Sequence, residues 1–323
     1  MTDNATRTGL VTGASSGLGF EASAQLAEHG YGRVIITART QAKADEARRQ
    51  LQERTDRGVF EILVLDNDRL ATVEAAATTL IERRGRIDTL ILNAGMAPPS
   101  RAVINDDGLE STVASTLIGH HLLTMRLIEN DLLGPNARIV ISGSEAARGD
   151  VPTFHPLDVG SFADAHFNGQ LEPAIETYMK MAPPAEYKAA ATYATAKQFV
   201  AWWAAELSEQ LPEGMTVNAV SPGSTPDTNA ARNAPFYMKY LMIPIFKLMP
   251  GMSHSVADGA RRYLDAASFG DDVNGKFFAS PSKKMIGPLT EMEYEHLDQP
   301  KAQQALWNVT ARLAGGVGYP INR

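Results

Sequence analysis

Cysteine is absent from all 323 residues, which excludes disulfides, thiolate metal sites and a cysteine nucleophile. Metal-binding spacing is missing as well. The histidines, His29, His120, His121, His155, His166, His254 and His296, form no HExxH or comparable pattern, so no metal centre is expected. Basic blocks are also lacking. The 30 Lys and Arg mix with the 37 Asp and Glu for a net charge of -7. Nucleic acid is therefore not an expected partner, since phosphates need clustered positive charge. The most apolar stretch, Tyr240 to Met252, is too short to span a bilayer and carries Pro244 and Pro250. The leading residues MTDNATRTGL are polar, with no charged-then-apolar signal pattern. Together these absences lead to the expectation of a cytoplasmic chain without a membrane span.

Apolar residues are plentiful enough for a proper core, at 44% against 21% charged. The length suits one large α/β domain over residues 1–323. Short β-branched runs alternate with helical patterns through the first half. Leu10–Thr12 precedes Phe20–Glu28, Val34–Thr37 precedes Gln41–Glu53, and Ile62–Leu65 precedes Leu70–Arg83. Thr89–Leu92 precedes Leu109–Ile128, and Ile139–Ser142 follows. The strands are continuous apolar runs, as expected for a parallel sheet covered on both faces. A doubly wound, Rossmann-like α/β fold is the natural closure.

Beyond Ser144 the alternation lapses. Residues 149–190 contain His155-Pro156, Asn168-Gly169 and Pro183-Pro184, with one helical piece around Leu171–Met181. This reads as an insertion on the rim of the sheet. The pattern resumes with a helix over Tyr193–Gln210, strands at Thr216–Val220 and Lys276–Ala279, and a helix over Lys301–Leu313. Between them Asn229–Ser253 is rich in Met, Phe, Tyr and Leu, including Met238, Met242, Met249 and Met252. Its prolines and its place after a loop suggest a hydrophobic lid over a substrate.

The first strand runs into Thr12-Gly13-Ala14-Ser15-Ser16-Gly17-Leu18-Gly19, which opens a helix. Glycines permit a tight turn and close approach of backbone to phosphate, and the helix start offers free N–H groups. Further candidate contacts fall at strand ends. Asp66 and Asn67 follow the third strand, where a carboxylate can accept from an adenine amino group. Asn93-Ala94-Gly95 follows the fourth, small enough for a ribose to lie against backbone. The second strand ends Thr37-Ala38-Arg39. A carboxylate there would serve a ribose 2′-OH. Ala38 cannot, whereas the Arg39 guanidinium suits a 2′-phosphate, so NADP(H) is the expected cofactor.

Tyr193 and Lys197 stand four residues apart in Tyr193-Ala194-Thr195-Ala196-Lys197 and project from one helix face. An ammonium and an oxidised nicotinamide nearby would lower the phenol's pKa, making Tyr193 a proton donor or acceptor. Lys197 would also hold the nicotinamide ribose. Ser144, just past the fifth strand, can bond the substrate oxygen, with Ser142 as the fallback. Pro222, Gly223, Thr225 and Thr228 are placed to close over the carboxamide and phosphates.

TGxxxGxG, NAG, YxxxK and PG, in this order over roughly residues 8–280, resemble the short-chain dehydrogenase/reductase superfamily. Within it the chain is similar to retinol-dehydrogenase-like enzymes and light-dependent protochlorophyllide reductase. The similar pieces are Asp107-Gly108-Leu109-Glu110, Gly119-His120 with Leu122-Leu123, and Pro222-Gly223 followed by Asp227-Thr228. The wide separation of Ser144 and Tyr193 also resembles the pigment reductase. The resemblance implies hydride transfer to or from a carbonyl or alcohol carbon of a small molecule, with Ser144, Tyr193 and Lys197 catalytic.

Two departures stand out. Thr116 replaces the Asn that the family uses to help hold a water in the proton relay, which makes Thr116 the fourth candidate catalytic residue. Ser224 stands where the pigment reductase carries a Cys, which points to dark carbonyl chemistry rather than light-driven C=C reduction. A cofactor-binding sensor without turnover is the alternative from another class. Retention of Tyr193 and Lys197 argues against it. His120 and His121 are expected to pack within a helix, and Trp202 and Trp203 to serve buried faces or the contact of a homo-oligomer.

Overall fold

The computed structural model describes residues 4–225 and 253–317. Thr228 and all of the expected lid except Ser253 lie outside the described residues.

Eight strands form one sheet in the order β3-β2-β1-β4-β5-β6-β7-β8. They are β1 (Thr8–Val11), β2 (Arg33–Ala38), β3 (Phe60–Val64), β4 (Ile87–Leu92), β5 (Leu133–Ser142), β6 (Thr216–Val220), β7 (Phe277–Ala279) and β8 (Thr290–Glu291). The first seven pair in parallel, with Leu10 opposite both Ile35 and Leu90, and Ser142 opposite Val220. β8 pairs with β7 antiparallel. Too short to show a period, this edge strand had no sequence signal. The order reverses between β1 and β4, the switch point where doubly wound sheets bind ligands.

Helices α1 (Gly17–Glu28), α2 (Gln41–Thr55) and α3 (Leu70–Arg83) follow their strands as expected. The expected Leu109–Ile128 helix is interrupted. α4 (Ser111–Val113) passes through a π turn at Ala114–Ile118 into α5 (Gly119–Glu129). The apolar periodicity survives because every residue of the turn is buried. Single π turns recur at functional positions, and Thr116 sits in this one.

The 149–190 insertion supplies two helices rather than one, α6 (Val159–Phe167) and α7 (Leu171–Met179). Asp158 caps α6 by accepting from the Ser161 amide, and Asn168 ends it in the left-handed region at φ 51°. From α7, Ile175, Tyr178 and Met179 join the main core. Helix α8 (Ala189–Ser208) then carries Tyr193 and Lys197. α9 (Val256–Ala266) was not anticipated, although its start is legible: Ser255 and Asp258 form a reciprocal capping box. α10 (Pro300–Leu313) packs over α5, α7 and α8.

Tryptophan and histidine lock these helices together. Trp203 Nε1 donates to His121 Nδ1 at 3.0 Å, and His121 Nε2 donates to the Val317 carbonyl at 2.8 Å. Burial pushes the His121 pKa down to about 4, so the ring stays neutral and fills both roles. Trp202, Trp203 and Trp307 are fully buried. Among the described residues no helix is long and apolar enough to cross a membrane.

Because Ile175 is completely buried, Ile175→Ala should cost about 2–5 kcal/mol in urea unfolding. A loss below about 0.5 kcal/mol, the scale of surface changes, would show the insertion to be peripheral.

Candidate active site

The turn after β1 is held from two sides. The Gly13 amide donates to Thr37 Oγ1 at 3.0 Å and the Ala14 amide to the Thr37 carbonyl at 2.8 Å. From β4, Asn93 Nδ2 donates to the carbonyls of Thr12 at 3.0 Å and Gly13 at 3.4 Å. Gly13 has φ +67° and Gly17 φ +59°, the left-handed region. A Cβ on Gly19 would lie 2.5 Å from both Asn93 Nδ2 and the Gly13 carbonyl oxygen. Ser16 begins α1 without a side-chain capping bond, so the first N–H groups of α1 remain available to an anion. The Asn93 amide grips the turn, Ala94 donates its N–H to Thr12 Oγ1 at 2.9 Å, and Gly95 is exposed.

Arg39 is exposed at the end of β2 and pairs with none of the described residues. Thr40 caps α2 by accepting from the Lys43 amide at 3.4 Å. The Lys43 side chain is exposed in that first turn, a second cation that sequence reading passed over, four positions after Arg39. Asp66 accepts from the Asp68 amide at 3.3 Å. Asn67 is buried and reaches the Ser115 carbonyl at 3.4 Å, leaving its Oδ1 without a partner. This donor set, an open helix start flanked by free cations, fits a phosphate-bearing dinucleotide.

Tyr193, Lys197 and Ser144 gather beside it. Ser144 stands near enough to the Tyr193 phenol to lower its pKa, and it accepts from the Ala146 amide at 3.2 Å. Ser142 is committed elsewhere, paired with Tyr263 Oη at 2.8 Å in a buried setting, so Ser144 is the serine at the phenol. Lys197 Nζ donates to the Ser142 carbonyl at 2.7 Å and lies 5.8 Å from the Tyr193 ring centroid. Phe154 from the insertion packs 5.9 Å from the same ring, centroid to centroid. Thr116 is 1% exposed and its hydroxyl has no partner. That hydroxyl points toward Gly95, 3.2 Å from where a Cβ there would sit.

In the protein alone, burial dominates the electrostatics of the pair. Burial holds the Tyr193 phenol above its ordinary value, the nearby Ser144 opposes this, and the Glu145 charge adds to it. Burial also pulls Lys197 down to about 7. Lowering the phenol therefore needs positive charge from outside the protein.

Beneath Ser144 lies a knot that sequence reading missed. Glu145 accepts from Ser221 Oγ at 2.5 Å and from Ser280 Oγ at 2.9 Å, and stands 3.7 Å from Arg262. Arg262 also donates to the carbonyls of Ser221 at 3.1 Å and Gly287 at 2.5 Å. Pro222 and Gly223 are thereby fixed. His254 Nε2 donates to the Pro222 carbonyl at 2.7 Å, and Thr225 packs with Leu18 around Gly259 of α9. No local pattern marks partners 135 positions apart, as Ser280 and Glu145 are.

Fold and site together define a dinucleotide-binding domain with a Ser–Tyr–Lys cluster at its switch point. The model of the short chain dehydrogenase family matches residues 7–156. The chain is 32% identical over 285 residues to the WW domain-containing oxidoreductase of Drosophila melanogaster, covering 86% of this chain and 64% of that protein. It is 28% identical over 315 residues to human retinol dehydrogenase 13, covering 96% of this chain and 85% of that protein. Among solved structures, an uncharacterized protein from Mycobacterium paratuberculosis superposes with a TM-score of 0.69 at 24% identity, over 96% of this chain and 93% of that one. The chain is thus similar to short-chain dehydrogenases, and over nearly its whole length to retinol dehydrogenase 13.

Lys197 gives a pH signature. An unfolded lysine keeps its proton up to about 10.5, the folded Lys197 only up to about 7. Between these values the unfolded state binds the extra proton, so stability rises with pH across that window. Below it both states are charged and the full burial cost applies. Lys197→Met should flatten the rise, read as urea unfolding free energy from about pH 7.5 to 9.5, short of tyrosine ionisation near 10. Equal slopes in both proteins would contradict the assignment.

Proposed function

We propose that the chain is an NADP(H)-dependent oxidoreductase that moves a hydride between nicotinamide and the carbonyl or alcohol carbon of a bulky apolar substrate. The observation that carries this reading is the cluster of Tyr193, Ser144 and Lys197 beside an uncapped helix start at the switch point of the sheet. When bound, the reduced nicotinamide supplies the hydride that reaches the carbonyl carbon.

The chain's own groups handle the oxygen. Ser144 donates a hydrogen bond to it and Tyr193 gives up its phenolic proton as charge develops there. The raised phenol pKa keeps that proton in place beforehand. Lys197 is held against the Ser142 carbonyl, and its remaining donors would hold the nicotinamide ribose. Gly13, Ser15, Ser16, Gly17, Leu18 and Gly19 would cradle the pyrophosphate, and Asp66, Asn67, Asn93, Ala94 and Gly95 would frame the adenosine and ribose. Pro222, Gly223 and Thr225 would close over the carboxamide, with Thr228 continuing that loop in the sequence. Thr116 would share in the relay behind Lys197 through its unpartnered hydroxyl. For the substrate, the apolar 229–253 segment and the similarity to retinol dehydrogenase 13 support a bulky apolar molecule. The reverse reaction would use the same groups, with Tyr193 taking the proton from an alcohol.

An NADPH-oxidation screen over ketones, aldehydes and enones, in darkness and in light, tests the class. Turnover only under illumination would favour C=C reduction, and cofactor binding without any turnover a sensor. On a substrate so found, Tyr193→Phe should keep cofactor affinity yet lose about 10²–10⁴-fold in rate. Near-normal turnover by this variant would remove Tyr193 as the acid.

Cofactor choice is tested separately. Arg39 can make charged hydrogen bonds to a 2′-phosphate, each worth about 1.5–3 kcal/mol. Arg39→Ala should therefore erase most of the preference for NADPH over NADH in binding titrations. Equal affinities in the unmodified protein would refute the NADP(H) assignment.

A further inference from the structure

His120 is fully buried between the two halves of the site. Its Nε2 lies 2.9 Å from Thr12 Oγ1, at the foot of the glycine turn, and its Nδ1 lies 3.0 Å from the carbonyl oxygen of Thr116 in the π turn. The chemistry of the partners fixes the proton positions. A carbonyl can only accept, so Nδ1 carries the hydrogen. Nε2 must then accept, and the Thr12 hydroxyl donates to it. Thr12 Oγ1 in turn accepts from the Ala94 amide at 2.9 Å. The result is a directed chain: Ala94 N–H to Thr12, Thr12 O–H to His120, His120 N–H to the Thr116 carbonyl.

We propose that His120 is a positioning residue that ties the Thr116 carbonyl behind Lys197 to Thr12 at the foot of the phosphate turn. The two halves of the site, cofactor cradle and proton relay, are thereby held as one body. This inference rests on the hydride-transfer reading of the site. Burial supports the bridge independently, because it depresses the His120 pKa to about 3 and so keeps the ring neutral. Lys197 faces His120 and pushes in the same direction. A charged imidazolium would carry a proton on Nε2 and could no longer accept from Thr12.

The bridge divides cleanly by substitution. Asn places its amide nitrogen near the position of Nδ1, so His120→Asn retains the donor to Thr116 and loses Thr12. Gln reaches as far as Nε2, so His120→Gln retains Thr12 and loses the Thr116 carbonyl. The measurements are NADPH dissociation constants by fluorescence, kcat with phenanthrenequinone as carbonyl probe, and ¹⁵N spectra of the histidine rings in the full-length protein. The expected spectrum is a neutral Nδ1–H tautomer, unchanged from about pH 8 to 5. His120→Asn should weaken NADPH on the order of tenfold, the scale of one lost hydrogen bond, with kcat near normal. His120→Gln should lower kcat by a similar factor with affinity near normal. An Nε2–H tautomer would overturn the proposal. So would equal changes of affinity and kcat in the two variants, or thermal destabilisation with neither changed. Should the unmodified protein fail to bind NADPH, the functional reading fails, and the ring tautomer still decides the bridge.

Discussion

The site depends on one close approach, that of the glycine turn after β1 to the end of β4. No side chain fits at Gly19, because its Cβ would meet the Gly13 carbonyl and the Asn93 amide at 2.5 Å. Contact at this distance lets α1 start directly above the sheet, its open N–H groups facing the crevice at the switch point. It also lets one asparagine hold two turn carbonyls. β1 lies between β2 and β4 in the sheet order, so a shift in this turn would move Thr37 on one side and Asn93 on the other. Helix α8, which carries Tyr193 and Lys197, and the loops of β5 and β6 are then arranged around a turn whose position is already set.

The opposite flank is organised by charge. Glu145 and Arg262 are buried at 2% and 5% exposure. Burying such a pair stabilises little overall, since desolvation offsets the attraction, while removing one partner costs roughly 3–5 kcal/mol. Their value lies in connectivity. Glu145 follows Ser144, Ser221 follows β6, Ser280 follows β7 and Arg262 lies on α9, so the knot gathers the carboxyl ends of three strands and a helix. Polar groups in such a network have one satisfactory arrangement, because each lost partner leaves a buried orphan. Ser144 and the Pro222-Gly223 loop are held in register by that requirement.

Legibility in the sequence follows the range of the interactions. β1 through β6 and helices α1 to α3 were readable because local periodicity and turn glycines decide them, as the Leu70–Arg83 helix illustrates. The glycine turn, Arg39 and the Tyr193–Lys197 pair could be singled out as candidates for the same reason: each motif is spelled within eight residues. The π turn at Thr116 was hidden because it leaves apolar spacing almost unchanged. α6 lay within a stretch whose His155-Pro156 and Asn168-Gly169 pairs read as loop, though these sit just outside its ends. The Glu145–Arg262 knot and the His120 bridge exist only once distant strands are side by side. Pattern favoured Ser144 with Ser142 as the fallback, and only Tyr263 on the unanticipated α9, by engaging Ser142, separates the two in space.

That same α9 tyrosine bears on the electrostatics around Tyr193 and Lys197. Ser142 hydrogen-bonds Tyr263 through its hydroxyl and accepts from Lys197 through its carbonyl, so the lysine is held from the protein side by a neutral partner rather than a carboxylate. Nothing then offsets its desolvation, which is the sole cause of its depressed pKa. A lysine titrating near neutrality gives the phenol less than a full positive charge. Glu145 contributes a negative one from below. Both influences favour the protonated phenol, the form that donates to a carbonyl oxygen. An alcohol substrate requires the phenolate instead, and a positively charged oxidised nicotinamide would favour it. The protein alone is thus biased toward the acid, and a positive charge on a bound nicotinamide would oppose that bias.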